Sequence, residues 1–466
     1  MKRTFNYSLP ALALLGLTLG SCQPTLEDTR PAADAGSLNF SSYVAVGNSL
    51  TSGYSDGGLY NEAQATSYPA ILAQQFAKTA KGPAAFVQPS FSAAKKDGSG
   101  YVQLRVVNGT TTPVQPSAAN SFLGEQVAYT NNPAFPSELE AYTGSQPDNL
   151  GVPGISVLSA DKTASASGNA TVDAQTRGAA AAYGVLNNFY QRILPAADRG
   201  TKDYVTYIGQ KTPTFFTCWM GNNDVLTFAT NGGVASATNP FSGMTDTTSF
   251  GRGYRNILST ISKNGTVAGV AANIPNVTTI PYFNTVTVAA VAASFKAANP
   301  ASPGVFITTG TAAAPVVRLA TSADLLTLTT QGYIAAVVAA GGTAPGSLPT
   351  SPLPNNYVLD ATEAAAVVAR TTQLNAIIAK TARQNKVALA DMNTFFTTIA
   401  QQGIVTNAVN NTATFASGNL FSLDGVHPTP RGYAVVANEF IRVINSYYGS
   451  AVPTVAPNDY RGVLFP

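Results

Sequence analysis

The chain has 466 residues, of which 45% are hydrophobic and 11% are charged, and its formal net charge is +3. This length exceeds one ordinary hydrophobic core, so we expect either two domains or one domain with large insertions. The small net charge provides no basic field of the kind that attracts nucleic acid. Two cysteines and one histidine exclude a zinc site built on nitrogen and sulfur ligands. An all-oxygen Ca²⁺ site stays open, although no calcium-binding loop motif supports one.

The N-terminal residues predict an export signal rather than part of the fold. Two basic residues precede the apolar run 11–19, which is too short to span a membrane. The run continues into Leu-Gly-Ser-Cys at 19–22, which resembles the lipobox of a bacterial lipoprotein. We therefore expect residues 1–21 to be a signal peptide and Cys22 to carry lipid. Two or three acyl chains on this cysteine would anchor the protein stably. An ordinary secretory signal with a chance cysteine is the alternative.

The residues around the lipidation site also indicate a location. Gln23 stands where some Gram-negative lipoproteins carry an Asp that retains them in the inner membrane. We therefore expect a lipid-anchored protein of the bacterial envelope, with the outer membrane as its destination. Residues 22–38 contain Pro, Asp and small residues and predict a flexible tether. With Cys22 lipidated, Cys218 has no partner for a disulfide within the chain.

Beyond the tether, short apolar runs alternate with segments of helical spacing. The runs end at glycines and have the length of buried parallel strands. Ser67 and a capping box at Asp360–Glu363 mark two helix starts. Such alternation predicts an α/β fold with a doubly wound, mostly parallel sheet. The predicted strands lie at 43–46, 215–220, 267–272 and 387–390, and the helical spacing covers 67–76, 254–261, 360–378 and 433–444.

Two long stretches interrupt this alternation. Residues 84–145 alternate Val, Tyr, Gln and Thr between glycine-containing turns, and predict β-structure. Residues 283–356 are rich in Thr, Val, Ala and Pro. We interpret both stretches as insertions in one domain that covers 39–450, followed by a C-terminal tail at 451–466.

Three short motifs fall at predicted strand ends or loops. Ser49 lies on the turn Gly-Asn-Ser-Leu after the first strand, where a serine is exposed for attack and free backbone N–H groups help an oxyanion. In Asn149–Gly154 a glycine N–H is able to approach a substrate closely. In the run 221–224 a carboxamide is able to donate a hydrogen bond to developing negative charge. Taken singly, each motif is an ordinary turn or loop.

The fourth motif contains the chain's one histidine. Asp424 lies three residues before His427, and a tight turn would bring both to the same face. In that arrangement a carboxylate orients one ring nitrogen while the other nitrogen handles a proton. A lone histidine is more often structural than catalytic. This motif therefore indicates catalysis only in combination with the three motifs above.

Taken together and in this order, the four segments resemble blocks I, II, III and V of the SGNH (GDSL-type) hydrolase family. The resemblance spans residues 44 to 445. It implies a three-layer αβα sandwich whose mostly parallel, flavodoxin-like sheet carries the two insertions. A family core needs roughly 200 residues, so the insertions nearly double it, and we expect them to form walls of the substrate cleft.

The resemblance also implies residue roles. Ser49 corresponds to the nucleophile, His427 to its general base and later acid, and Asp424 to the residue that orients His427. The backbone N–H groups of Ser49 and Gly154 and the side chain of Asn223 correspond to the oxyanion hole.

Three further residues near these motifs carry narrower expectations. Gly151 is the alternative to Gly154 in the second block. Asn222 and Asp224 are expected to hold their turn through hydrogen bonds. The first block usually reads Gly-Asp-Ser-Leu, and Asn48 stands at the Asp position, which alters the hydrogen bonding behind the nucleophile without removing a triad member.

The function implied is that of a serine esterase that works through an acyl-enzyme and needs no metal or organic cofactor. Its expected substrate is a small-molecule, lipid or acylated-glycan ester. The alternative is a catalytically weak or inactive surface lipoprotein that binds glycan or protein through its insertions. The intact set of Ser49, Asn223, Asp424 and His427 favours the enzyme.

Overall fold

The computed structural model describes residues 32–107, 110–114, 126–132, 137–161, 163, 187–236, 239, 241–311 and 313–466. The expected signal peptide, Cys22 and the first part of the tether lie outside these described residues. Within them, no helix is long and apolar enough to cross a membrane.

The described residues form strands and helices along the whole length of the domain. The strands are β1 (Tyr43–Gly47), β2 (Gln103–Val107), β3 (Thr110–Val114), β4 (Asn149–Gly151), β5 (Phe215–Trp219), β6 (Ala268–Ala272), β7 (Phe306–Thr311), β8 (Ala314–Leu319), β9 (Leu325–Leu326), β10 (Val358–Leu359), β11 (Ala388–Ala390), β12 (Ile404–Thr406) and β13 (Val409–Asn411). The helices are α1 (Ser49–Ser52), α2 (Asn61–Ala65), α3 (Tyr68–Phe76), α4 (Val157–Ala160), α5 (Asn188–Gln191), α6 (Tyr204–Gly209), α7 (Asn223–Thr230), α8 (Thr247–Ile261), α9 (Pro281–Asn284), α10 (Val288–Ala298), α11 (Thr330–Ala339), α12 (Ala361–Gln384), α13 (Met392–Gln402) and α14 (Pro430–Tyr448).

Five of these strands form the central sheet, in the order β11-β6-β5-β1-β4. Every neighbouring pair is parallel. Numbered by their order in the chain, the strands read 5-4-3-1-2, which is the flavodoxin-like arrangement. The expected α/β fold with a parallel sheet is therefore confirmed. The segment 149–151 was expected to be a loop, and this was wrong, because it pairs with β1 as the edge strand β4.

The strands of the sheet are apolar on both faces because helices cover both. Val44 and Val46 belong to one buried cluster, together with residues of α8 and α12. Tyr43 and Ala45, which point to the opposite face of the same strand, belong to a second cluster with residues of α3 and α14. Each face of the sheet thus has its own core, and the three-layer sandwich follows.

The main helix boundaries agree with the capping signals of the sequence. Ser67 caps α3 by accepting a hydrogen bond from the Ala70 N–H. Asp360 and Glu363 form the expected capping box of α12. α14 begins with a proline at its first position and ends at Gly449 in the left-handed conformation.

The first insertion contains less β-structure than the sequence predicts. In its described residues β2 and β3 form one antiparallel hairpin, and most of the remainder is turn and irregular chain. Alternating polar and β-branched residues favour a strand only where a partner is available. The second insertion folds around α10, β7, β8, β9 and α11 with a small core of its own, built on residues such as Phe295 and Ile307.

The segments before and after the predicted domain pack against it, which the sequence analysis did not indicate. The tether was expected to extend to residue 38, but Asp34 pairs with Ala451 and Leu38 is buried. Ala35 and Leu38 are buried in the core that contains residues of α3 and α14, which makes residues 34–38 part of the fold. In the tail, the backbone N–H of Val455 donates to the side chain of Asn438 on α14.

Candidate active site

Three of the four motifs follow neighbouring strands of the sheet. In the parallel register Gly47 lies opposite both Gly151 of β4 and Trp219 of β5. The chain leaves each of these strands at the same edge, where open α/β sheets bind their ligands. The residues that follow these three strands therefore lie close together at this edge.

The turn after β1 presents Ser49 at this edge. The Asn48 side chain accepts a hydrogen bond from the Leu50 N–H at 3.1 Å and so starts the short helix α1 with Ser49 at its first position. Gly53, in the left-handed conformation, ends that helix. Ser49 is only 6% exposed, so its hydroxyl lies in a site largely shielded from water.

The fourth motif brings the histidine to this serine. His427 Nε2 lies 2.8 Å from Ser49 Oγ, and His427 Nδ1 lies 2.8 Å from Asp424 Oδ2. A proton on Nδ1 donates to the carboxylate and leaves Nε2 as the acceptor for the serine O–H. The arrangement allows the ring to remove the serine proton while the carboxylate stabilises the resulting imidazolium.

The Asp424 carboxylate is surrounded by donors. Its Oδ1 accepts the backbone N–H groups of Val426 and His427, each at 2.8 Å, and the hydroxyl of Ser422 at 3.0 Å. Burial alone would raise the pKa of Asp424, but the charge of His427 and these hydrogen bonds outweigh it and hold that pKa at about 2. The carboxylate is therefore ionised at any pH at which the protein would be assayed.

A loop that the sequence analysis did not identify holds this carboxylate from the other side. We call residues 54–58 the Asp56 loop and residues 420–428 the histidine loop. The Gly57 N–H donates to Asp424 Oδ2 at 2.9 Å, and the Ser55 hydroxyl donates to the carbonyl of Pro428 at 3.0 Å. The sequence signal that could have identified this loop is the carboxylate inside the turn-forming run Ser-Asp-Gly-Gly, just after the serine motif.

An aromatic ring packs beside the imidazole. The rings of Tyr54 and His427 are 4.8 Å apart between centroids and tilted by 54°. The Tyr54 hydroxyl donates to the carbonyl of Gly57 at 2.6 Å, which fixes the ring in place. Burial and the nearby charge of Asp424 raise the pKa of Tyr54, so it stays a neutral wall of the site.

The two candidate glycines of the second motif differ in their surroundings. The Gly151 N–H donates to the side chain of Asn149 at 3.0 Å, so it is already used. The Gly154 N–H makes no hydrogen bond within the described residues. Gly154 has a φ of 78°, and Asn187 fixes the turn before it by donating to the carbonyl of Pro153. The geometry favours Gly154 over Gly151 as a donor to a ligand.

In the third motif the side chains of Asn223 and Asp224 are hydrogen-bonded, whereas the side chain of Asn222 makes no hydrogen bond within the described residues. Asn223 Nδ2 donates to the carbonyl of Ile155 at 2.8 Å, which leaves its second N–H for another acceptor. Asp224 holds its turn as expected, because it accepts the Val157 N–H and the Thr245 hydroxyl. Burial raises the pKa of Asp224 to about 6 despite these bonds.

Asn222 and Asn48 have buried side-chain atoms whose lack of partners within the described residues could not be read from the sequence. The expectation that the Asn222 side chain holds the turn was wrong: it is buried, and within the described residues neither of its polar atoms has a partner. Its backbone carbonyl holds the turn instead, by accepting the N–H groups of Val225 and Leu226. Asn222 has helical backbone angles and makes no side-chain capping bond at the start of α7. Asn48 replaces the usual aspartate as an N-cap, but its Nδ2 lacks an acceptor in the described part of the chain.

A family model described as GDSL-like Lipase/Acylhydrolase matches residues 43–440. No curated protein and no solved structure was found to match the chain. The matched range includes all four motifs and both insertions.

Proposed function

Because the chain belongs to the GDSL-like lipase/acylhydrolase family, whose members are hydrolases that act on esters, we propose that it cleaves carboxylic esters through a serine triad and an acyl-enzyme. The observation that carries this proposal is the continuous hydrogen-bonded chain from Ser49 Oγ through His427 to Asp424, with 2.8 Å at each step. A nucleophile, a base and an orienting carboxylate within hydrogen-bond reach are the signature of an activated serine.

In the first half-reaction, Ser49 Oγ attacks the ester carbonyl carbon as His427 Nε2 takes its proton. The tetrahedral intermediate collapses by breaking the bond to the alcohol oxygen. That oxygen leaves with the proton from Nε2, and the acyl group stays on Ser49. Asp424, ionised and bonded to Nδ1, stabilises the imidazolium during both steps.

The oxyanion that forms on the carbonyl oxygen needs donors that are already in place. We assign this task to the backbone N–H groups of Ser49 and Gly154 and to the free N–H of the Asn223 side chain. The unused Gly154 N–H and the fixed Asn223 carboxamide support the assignment. Fixed donors in a site shielded from water need no reorganisation as charge develops.

In the second half-reaction, water attacks the acyl-enzyme. His427 takes a proton from the water and returns it to Ser49 Oγ as the acid is released. The residues named supply every proton transfer in this scheme.

The proposed substrates are lipid esters or acylated glycans at the surface of a bacterial envelope, with the protein anchored through lipid on Cys22. The support for this location is the lipobox-like run at 19–22, which lies outside the described residues. A tether of this kind serves lipid and glycan substrates equally.

The experiment is hydrolysis of p-nitrophenyl esters of graded acyl length by the chain without residues 1–22. The compact unit of the structure begins at Ala33, so this deletion does not reach it. We expect wild type to exceed Ser49→Ala and His427→Ala by several orders of magnitude, because the triad acts as a unit. Equal rates in all three proteins would reject the enzyme and favour a binding lipoprotein.

A further inference from the structure

Asp56 contacts the residues that carry the triad without belonging to it. It is buried, and its Oδ1 accepts the Leu423 N–H at 2.9 Å. Its Oδ2 accepts the Tyr60 hydroxyl at 2.9 Å. Its backbone N–H donates to Ser422 Oγ at 2.8 Å. The two residues directly before Asp424 are therefore both bonded to Asp56.

The hydroxyl of Ser422 relays this contact to the triad. Because Ser422 Oγ accepts from the Asp56 N–H, its own proton is free to donate, and it donates to Asp424 Oδ1 at 3.0 Å. The Ser422 N–H donates to the carbonyl of His427 at 2.8 Å, which closes the histidine loop. Asp56 thus sets the direction of a hydrogen bond that ends on the catalytic carboxylate.

The backbone of Asp56 indicates that this position is maintained against a conformational cost. Its φ is 53°, in the left-handed region that residues other than glycine seldom adopt. Asp and Asn adopt it more readily than other side chains, because their short polar groups bond locally. Such outliers persist where surrounding contacts determine them, and they concentrate at functional sites.

We propose that Asp56 is a positioning residue of this active site: it holds the histidine loop so that Asp424 faces His427 Nδ1. The inference rests on the proposed function. It requires one side-chain acceptor for the Leu423 N–H and the backbone N–H that donates to Ser422, and does not require the negative charge of residue 56. Burial raises the pKa of Asp56, and the hydrogen bond that it accepts from the Leu423 N–H opposes this shift.

Two substitutions separate the side chain from the backbone. Asp56→Gly removes the carboxylate but keeps the N–H to Ser422 and accepts the left-handed φ without strain. Asp56→Asn keeps one acceptor for the Leu423 N–H and also tolerates this φ, but removes the charge. Ser422→Ala interrupts the same connection from the histidine loop, so the test stands even when Asp56→Gly folds poorly.

The direct readout is the NMR signal of the Nδ1 proton of His427 in protein labelled with ¹⁵N-histidine. The chain has one histidine, so the signal needs no assignment. Wild type and Asp56→Asn should show this proton far downfield, because it is bonded to Asp424. Asp56→Gly and Ser422→Ala should lose or shift it.

The kinetic readout is kcat and KM for a p-nitrophenyl ester. We expect kcat of Asp56→Gly and Ser422→Ala to fall about 10- to 100-fold with KM little changed, since misplacement by about 1 Å has effects of this size. Asp56→Asn should recover most of kcat. The control is Asp360→Ala, which removes a buried N-cap outside the site and should lower stability while kcat stays unchanged.

The proposal is overturned when Asp56→Gly and Ser422→Ala both keep the wild-type proton signal and kcat. It is also overturned when Asp56→Asn loses as much as Asp56→Gly, because charge would then be the property required. Failure of the proposed function is a separate result. In that case wild type hydrolyses no ester, while the proton signal still responds to Asp56 in the expected way.

Discussion

The triad residues depend on contacts between the two ends of the domain. Ser49 and His427 are 378 positions apart in the chain, and the Gly57 bond to Asp424 spans 367 positions. Each residue does only part of the work. In the proposed mechanism, Ser49 supplies the nucleophile, His427 moves the proton, and Asp424 keeps the ring in one tautomer. The contribution of a single residue is tested by substitutions that change one functional group at a time.

The first prediction concerns the pH dependence of stability. Asp424 has a pKa of about 2, below its ordinary 3.8, so the fold favours the ionised form. This contribution is present above about pH 4 and is lost as pH falls through about pH 2. It amounts to about 2 kcal/mol, from 1.36 kcal/mol per pKa unit. Urea unfolding of wild type and Asp424→Asn between pH 2 and 6 measures it.

The Asn variant keeps an acceptor for the neighbouring N–H groups but does not titrate. The free energy of unfolding of wild type should therefore exceed that of Asp424→Asn by more at pH 6 than at pH 2. A difference that does not change with pH would contradict the lowered pKa of Asp424.

The second prediction tests the oxyanion donors. Asn223→Ala should lower kcat by about 10²–10³, the usual effect of losing one such donor. Asn222→Ala is the matched control, because that neighbouring side chain has no partner among the described residues. Its kcat should be unchanged and its stability equal or higher, since an unsatisfied buried group is removed. Steady-state kinetics that show equal losses in both variants would reject the assignment of Asn223.

Elements place these residues by bringing strand ends to one edge of the sheet. β1, β4 and β5 are adjacent and parallel, so the turns that follow them converge. The Asn149 side chain reinforces this convergence by donating to the carbonyl of Thr51 in α1 at 2.9 Å. The position of Ser49 therefore depends on how closely β4 approaches α1.

The third prediction tests that approach. An added Cβ at Gly151 would lie 2.2 Å from the backbone nitrogen of Ser52. Gly151→Ala should therefore displace α1, lower kcat and cost about 1–3 kcal/mol of stability through overpacking. Gly332→Ala is the control, because nothing lies within 4 Å of its added Cβ and alanine favours the helix by about 0.5–1 kcal/mol. Thermal unfolding and ester hydrolysis together measure both effects, and wild-type behaviour of Gly151→Ala would contradict the close packing.

The elements also show where sequence reasoning succeeds and where it stops. Local signals such as the Ser67 cap, the Asp360–Glu363 capping box and the apolar strand 43–46 were sufficient, because each depends on neighbouring residues. The edge strand 149–151 was missed because three residues are too few to show a periodic pattern. The Asp56 loop was missed because its role lies in contacts to residues about 367 positions away.

At the scale of the whole molecule, one compact unit from Ala33 to Pro466 carries the site. Among the described residues, two large cores cover the faces of the sheet, and two smaller clusters consist largely of residues from the insertions. The second insertion lies beside the histidine loop, because Leu328 Cδ2 is 3.0 Å from the position that a Cβ would take on Gly425. Directly before the insertion, the Tyr282 N–H donates to the carbonyl of Gly425 at 2.9 Å. The contact of Leu328 supports a role for that insertion beside the histidine loop.

The fourth prediction concerns the anchoring of this unit. In a bacterial host, an alkyne-tagged fatty acid should label the full chain, and Cys22→Ser should abolish the label and release the protein from the membrane fraction. The reason is that two or three acyl chains give stable membrane attachment. Cys218→Ser is the control, because Cys218 is buried and should not affect labelling. Labelling that persists in Cys22→Ser would reject the lipoprotein.

The most direct test of the central claim is mass spectrometry after treatment with a fluorophosphonate, which captures an activated serine. One adduct per chain on the peptide that contains Ser49 is expected, with none in Ser49→Ala and a strongly slowed reaction in His427→Ala. The account is contradicted when wild type remains unmodified or when the adduct lies on another serine.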